Sequence, residues 1–346
     1  MPPVLRAMIC DDSPGFAGAL RRTLEYDGDI TVVALCAHAA EAIAVLSTRP
    51  VDLVAIDMAL PGMNGLEAVE EIMSSRPLPV LVLMSDVSGK GDVAAAMLAA
   101  GALEAIGKEE VHVADPGGPG GAAIRDRVRL LARSKVIRHP RARLRRHRHV
   151  PGRGRHVSAI GFCASTGGPK IMEALLAALP PGYPIPLLVV QHISPGFTAG
   201  LARWLDLSAG VPVRVAADGA VAGPGAWIAP AGANLRLADT GRLELERRPR
   251  GGRYLPSGDV LFSSIAAVAG RRGVAVVLTG MGSDGARGAT AVRLAGGFAI
   301  AQDEETSTVF GMPKAAAEIG VDLVLSPADI VSYLSGLTYD PLAGAS

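Results

Sequence analysis

The chain has 346 residues, of which 49% are hydrophobic, 19% charged and only 4% aromatic, with 42 glycines and 25 prolines. That length predicts about two domains, with cores built from Ala, Val, Leu and Ile. No apolar run approaches the roughly 18 to 20 residues needed to cross a bilayer, and the start MPPVLRAMICDD lacks the layout of a signal peptide. Cys10, Cys36 and Cys163 form neither a CxxC pair nor a His-paired metal spacing. A reduced, cytoplasmic protein without membrane insertion or structural zinc is expected. The net charge of +1 hides an asymmetry: thirteen Lys and Arg residues stand against Asp126 alone between Arg125 and Arg155.

Residues 1–111 alternate short apolar runs with amphipathic ones. Strands are predicted over Val4–Cys10, Ile30–Cys36, Val51–Asp57, Pro79–Ser85 and Leu103–Gly107. Helices are predicted over Phe16–Tyr26, Ala39–Thr48, Gly65–Ser75 and Gly91–Ala100. Strands that are apolar throughout and alternate with helices imply a parallel sheet covered on both faces. The carboxyl ends of these strands carry Asp11 and Asp12, Asp57, Ser85 and Lys108. In a doubly wound sheet those ends share one rim. Three carboxylates there repel one another, and a divalent cation such as Mg²⁺ relieves that through oxygen ligation.

Five chemically matched positions at the ends of the first, third, fourth and fifth strands resemble the receiver domain of bacterial response regulators, a flavodoxin-like fold with a five-stranded parallel sheet. The resemblance implies that Asp57 accepts a phosphoryl group from a histidine kinase. It also implies that Asp11, Asp12 and Asp57 hold Mg²⁺, that Ser85 is the switch hydroxyl, and that Lys108 contacts the phosphoryl oxygens. Two positions depart from that pattern: Glu109 stands where proline is usual, and Ala105 where many receivers carry an aromatic switch residue.

Residues 112–156 differ in kind. DPGGPGGAA breaks the chain at 115–123, and Ile124–Ile137 has the spacing of a basic amphipathic helix, with Val128, Leu131 and Lys135 near one face. HPRARLRRHRHVPGRGRH follows, too basic and too punctuated to pack a core, so 112–156 is expected to be a linker. A basic run is also the electrostatic footprint of nucleic-acid binding, which leaves a receiver-coupled DNA-binding regulator as an alternative. The C-terminal half ends in no helix-turn-helix pattern, so nucleic acid is not the expected partner.

The alternation resumes at Val157. Strands are predicted over Val157–Cys163, Ile185–Gln191, Val211–Ala216, Gly273–Thr279 and Phe298–Ala301, and helices over Lys170–Leu179, Asp259–Ala269 and Ala286–Leu294. Leu235–Ala238 and Leu243–Glu246 read as a β-hairpin turning at Asp239-Thr240-Gly241. The turn GFCASTGGP fits neither a phosphate-binding P-loop nor GxGxxG, because Thr166 and Cys163 fall at the wrong offsets. It can instead present Ser165 as a nucleophile, which requires a base and a group to orient that base. His192 ends one strand and Asp284 lies in the loop after another, so all three would emerge at one sheet edge.

ASTGGP, QHISPGFT, WIAPAGANL, PSGDVLF, LTGMGSDGA and FGMP are similar, in order and spacing, to the protein-glutamate methylesterases of bacterial chemotaxis, the CheB family. The similarity spans about residues 157–338, and implies a doubly wound α/β methylesterase domain with a β-hairpin. It implies hydrolysis of glutamate methyl esters on methyl-accepting chemoreceptors, with release of methanol, and deamidation of certain glutamines. Ser165 would be the nucleophile, His192 the base and then acid, and Asp284 the orienting group. Thr166, Gly167 and the loop through Gly280, Met281 and Gly282 are the implied oxyanion surroundings. The esterase reaction needs no cofactor. A catalytically silent receptor-binding scaffold is the remaining alternative, although all three triad residue types are present.

Overall fold

The computed structural model describes residues 4–85, 91–134, 136, 154–247 and 254–342. The chain divides into two units, Met1–Arg138 and His139–Ser346.

In the first unit, strands β1 (Leu5–Cys10), β2 (Ile30–Cys36), β3 (Leu53–Asp57), β4 (Val80–Met84) and β5 (Glu104–Gly107) form one parallel sheet in the order β2-β1-β3-β4-β5. β3 and β4 are buried at every residue, as their continuous apolar sequences require. Helices α1 (Pro14–Glu25), α2 (Ala39–Thr48), α3 (Gly65–Ser75) and α4 (Gly91–Ala100) connect the strands. The Ser13 hydroxyl accepts from the Phe16 amide to start α1, and Asn64 with Glu67 forms a capping box at α3. Strand order reverses between β1 and β3, which places the crevice beside Asp11 and Asp57.

The unit does not end at residue 111. Helix α5 (Pro119–Ala132) buries Ile124, Val128 and Leu131 in the same core as Leu20, Leu24 and Leu53. Arg125 is itself buried: its guanidinium donates to Asp27 (2.6 Å), Thr23 O (3.2 Å) and Pro116 O (2.5 Å), and packs over the Tyr26 ring. Arg129 pairs with Asp27, Asp29 and Asp126. The expected linker therefore loses about its first half, and the predicted basic helix begins five residues earlier than its spacing suggested. Periodicity located its apolar stripe, but the glycine run hid its start. Lys135 and the arginines from Arg138 to Arg153 lie outside the described residues.

In the second unit a seven-stranded parallel sheet runs in the order β15-β14-β13-β7-β8-β10-β9. Its strands are β7 (Ala159–Ala164), β8 (Pro186–Gln191), β9 (Val213–Val215), β10 (Gly225–Ile228), β13 (Gly273–Val277), β14 (Phe298–Gln302) and β15 (Leu323–Leu325). Helices α6 (Gly168–Ala178), α7 (Thr198–Ser208), α8 (Gly258–Ala269), α9 (Ala286–Leu294), α10 (Met312–Ile319) and α11 (Pro327–Ser335) accompany it. β11 (Asn234–Leu237) and β12 (Leu243–Glu246) form the expected antiparallel hairpin. β6 (His156–Val157) pairs with β16 (Thr338–Tyr339), so His156 belongs to this unit and not to the linker. Two apolar cores cover the two faces of the sheet, one around Phe162 and Leu187, the other around Phe262 and Val277. From β7 the order proceeds one way to β8 and the other way to β13, which puts the switch point at the carboxyl ends of these three strands.

Candidate active site

Ser165 leaves β7 at its carboxyl end, in the turn into α6. Gly167 is the N-cap of α6 at φ +76°, and a Cβ there would collide with the Thr308 side chain, so the turn requires glycine. Ser165 N donates to Thr279 O (3.0 Å), and the Thr279 hydroxyl donates to Thr166 O (3.0 Å) while accepting from Val309 N (2.9 Å). Gln191 Nε2 donates to both Ser165 O and His192 O at 2.9 Å, and His192 N donates to Ala164 O (2.9 Å). The ends of β7 and β8 are thus tied together where Ser165 and His192 begin.

His192 Nε2 stands 2.8 Å from Asp284 Oδ2. The carboxylate of Asp284, 1% exposed, sits on the N-terminus of α8. Oδ2 accepts from Gly258 N (2.7 Å), and Oδ1 accepts from Ser257 Oγ (2.9 Å) and Asp259 N (3.1 Å). Ser257 occupies the N-cap position of α8 but makes no capping bond of its own; Asp284 supplies the anion from another loop. Burial opposes ionisation here, yet the His192 hydrogen bond and the two amides outweigh it and hold the Asp284 carboxyl below its usual range. Cys163 Sγ lies 3.8 Å from Asp284 Oδ2, and burial pushes this thiol well above its ordinary range, so it behaves as an inert neighbour.

The loop expected around the oxyanion is more constrained than its sequence suggests. Gly280 N donates to Val309 O and Gly168 N donates to Ser165 O, so those two amides are committed. Among the described residues, the amides of Thr166, Gly167 and Met281 are given to no backbone carbonyl. Gly280 itself packs on Ser165, since a Cβ there would lie 2.7 Å from Ser165 Cβ.

The role of PSGDVLF is not legible in the sequence: Ser257 and Gly258 hold Asp284. Nor does the sequence mark Gln191, Thr279 or Tyr254, whose ring stacks on His192. The sequence signal was a Ser-Gly-Asp helix start beside a lone buried carboxylate, a pairing that only the tertiary fold creates.

In the first unit, carboxylate oxygens of Asp11, Asp12 and Asp57 all lie within 4.8 Å of one another. Lys108 Nζ is 2.6 Å from Asp57 Oδ2 and 2.7 Å from Asp11 Oδ2, and it packs over the Phe16 ring. Lys108 therefore ion-pairs with both buried carboxylates. Burial raises the Asp11 carboxyl above its usual range. Burial opposes the charge on Lys108, but the two carboxylates outweigh it and raise its affinity for a proton. Ser85 is exposed at the end of β4 on the same edge, and residues 86–90 lie outside the described ones.

These features define the class: a response-regulator receiver unit on the same chain as an α/β unit with a hydrolase-like Ser, His and Asp rim. The CheB methylesterase family matches residues 160–334, and the response regulator receiver domain family matches residues 7–112. The chain belongs to the CheB methylesterase family. Protein-glutamate methylesterase/protein-glutamine glutaminase 3 of Myxococcus xanthus (strain DK1622) is 39% identical over 347 residues, covering 98% of this chain and 96% of that one. The like-named protein 2 of Anaeromyxobacter dehalogenans (strain 2CP-C) is 40% identical over 336 residues, covering 96% and 97%. The crystal structure of the Thermotoga maritima CheB methylesterase catalytic domain is 38% identical, with a TM-score of 0.50, over 51% of this chain and 97% of that one. No helix among the described residues is long and apolar enough to cross a membrane.

Proposed function

We propose that the chain is a phosphorylation-regulated protein-glutamate methylesterase and glutaminase acting on chemoreceptors, with Ser165, His192 and Asp284 as its triad. The observation that carries this reading is the His192 Nε2 to Asp284 Oδ2 contact of 2.8 Å, backed by three further donors on a buried carboxylate. With Nε2–H donating to Asp284, the nitrogen left to take a proton from a hydroxyl is Nδ1. Ser165 Oγ attacks the ester carbonyl as His192 accepts its proton. The imidazolium then returns that proton to the departing methoxide, giving methanol, or to the departing amide, giving ammonia. Water, deprotonated by the same ring, cleaves the acyl-serine and leaves a glutamate carboxylate. The amides of Thr166, Gly167 and Met281 are the available donors for the oxyanion, each worth about 3 to 4 kcal/mol.

Control falls to the first unit, where Asp57 would accept a phosphoryl group from a histidine kinase. The clustered Asp11, Asp12 and Asp57 oxygens fit a hard divalent cation such as Mg²⁺. Such an ion supplies positive charge to balance the carboxylates and the incoming phosphoryl oxygens. Lys108, already ionised between the two buried carboxylates, would follow the phosphoryl group, and Ser85 would close from the end of β4. A DNA-binding role is not favoured: Arg125 and Arg129 are committed to acidic partners within their own unit, and Arg127 lies 3.5 Å from Glu104.

The test is methanol release from methylated receptor. Ser165→Ala is expected to lose about 10⁴-fold or more with the fold intact, His192→Ala nearly as much, and Asp284→Asn less. Full activity in Ser165→Ala would sink the assignment.

A further inference from the structure

His192 is held at one nitrogen by Asp284, which fixes where the ring is anchored but not its tilt about that bond. A second contact restrains the tilt. The Tyr254 ring stacks on the imidazole with centroids 5.1 Å apart and planes within 7° of parallel. Tyr254 is anchored at both ends. It leads through Leu255 and Pro256 into Ser257 and the start of α8, the same helix end that holds Asp284, and its hydroxyl end lies against Gly282. One short segment therefore fixes both the carboxylate at Nε2 and the aromatic surface over the ring.

The geometry points to Tyr254 as a positioning residue for His192, whose π face orients the imidazole and favours the imidazolium formed when Ser165 gives up its proton. The inference rests on the proposed triad. An aromatic face is electronegative and attracts a cation more than a neutral ring, so the contact strengthens as the transition state is approached. Among the described residues, two other ionisable groups cluster with the imidazole. They are Asp284, bonded to it, and Cys163, held as a neutral thiol by burial. Asp259, at the start of α8, is turned to Arg287 at 3.0 Å. Tyr254 and Asp284 also line a cleft of about 340 Å³ together with Asn234, Ser257 and Arg287, so truncating the ring opens more room for water beside the His192–Asp284 pair.

The experiment uses the full chain, with phosphodonor and Mg²⁺, and follows methanol release against pH. Wild type, Tyr254→Phe, Tyr254→Leu and Ser165→Ala are compared, with thermal melts to confirm folding. Tyr254→Phe keeps the π face and should stay within about twofold of wild type. Tyr254→Leu keeps an apolar cover without the quadrupole. Its kcat should fall about 3- to 30-fold with KM nearly unchanged, and the acidic limb of kcat/KM should move to lower pH by about half a unit. If the leucine variant does not fold, Tyr254→Met is read in the same way. An unmoved acidic limb and wild-type kcat in the leucine or methionine variant would overturn the inference. Equal damage from phenylalanine and leucine would also overturn it, by assigning the effect to the hydroxyl. An active Ser165→Ala protein would instead reject the triad, whatever Tyr254 does.

Discussion

Asp11 weakens the fold at the place where Mg²⁺ is proposed to bind. Its carboxylate is buried, and burial outweighs the Lys108 ammonium 2.7 Å away to raise its affinity for a proton above that of an exposed aspartate. A carboxyl that binds its proton more tightly when folded than when unfolded weakens the folded state once ionised, and that penalty disappears as pH falls through the raised value. Asp11→Asn is therefore expected to raise the urea midpoint of residues 4–134 at pH 7, while weakening Mg²⁺-dependent phosphorylation; a lower midpoint would contradict this. Asp284 works in the opposite sense. Its affinity for a proton is lowered by His192 and the α8 amides in spite of burial, so its contribution to stability is present above about pH 4 and is lost as pH falls below that. Both residues are buried aspartates, and their hydrogen-bond partners separate a strained site from a settled one.

At the scale of elements, the proposed catalytic rim depends on how closely α8 lies on β7. Gly161 makes that approach possible, because a Cβ there would meet Phe262 and Ile265 side chains at 2.7 to 2.8 Å. Gly161→Ala should push the helix outward, costing about 1 to 3 kcal/mol by overpacking. It should also reduce kcat through the displaced Asp284 carboxylate, although residue 161 touches no substrate. Urea melts of the second unit and methanol release measure the two effects. The strands that carry Ser165, His192 and Asp284 were legible in the sequence because each is apolar over five or six residues and ends in a glycine-rich or polar turn. β10 was not, because Gly225–Ile228 offers four residues beginning at a glycine with φ +112°, too few to show a period. β15 and helices α7, α10 and α11 were also missed; α10 and α11 carry Pro313 and Pro327 in their first turns. The support around Asp284 was illegible for a different reason: it joins residues 257–259 to residue 284 across the fold, and no local pattern encodes that contact.

At the scale of the molecule, a receiver unit and an esterase unit share one chain through a basic segment. Part of that basicity is internal to the first unit, where Arg125 and Arg129 are matched by Asp27 and Asp29. Arg141, Arg143, Arg145 and Arg146 lie outside the described residues. A small-molecule phosphodonor with Mg²⁺ is expected to raise methanol release by the full chain, and Asp57→Ala should abolish the response without lowering basal activity. Ala105 is buried and short, so it offers no aromatic relay. The stimulation is therefore expected to fall short of that in relatives carrying an aromatic there, and a phosphodonor titration of both measures the difference.

The three buried thiols have a practical consequence. Burial pushes Cys10 up to about 12 and Cys36 up to about 11, and lifts Cys163 well above the ordinary range. At neutral pH the native chain should be nearly silent to maleimides, and it should take up three equivalents only after denaturation, because the thiolate is the reactive form. The natural sequence thus serves as its own labelling background. Single cysteines placed at Ser47 on α2 and at Leu207 on α7, which is 88% exposed, would accept a donor and acceptor dye pair with no prior removal of native cysteines. Energy transfer between them would then follow, in real time, whether the two units change their separation as phosphodonor is added.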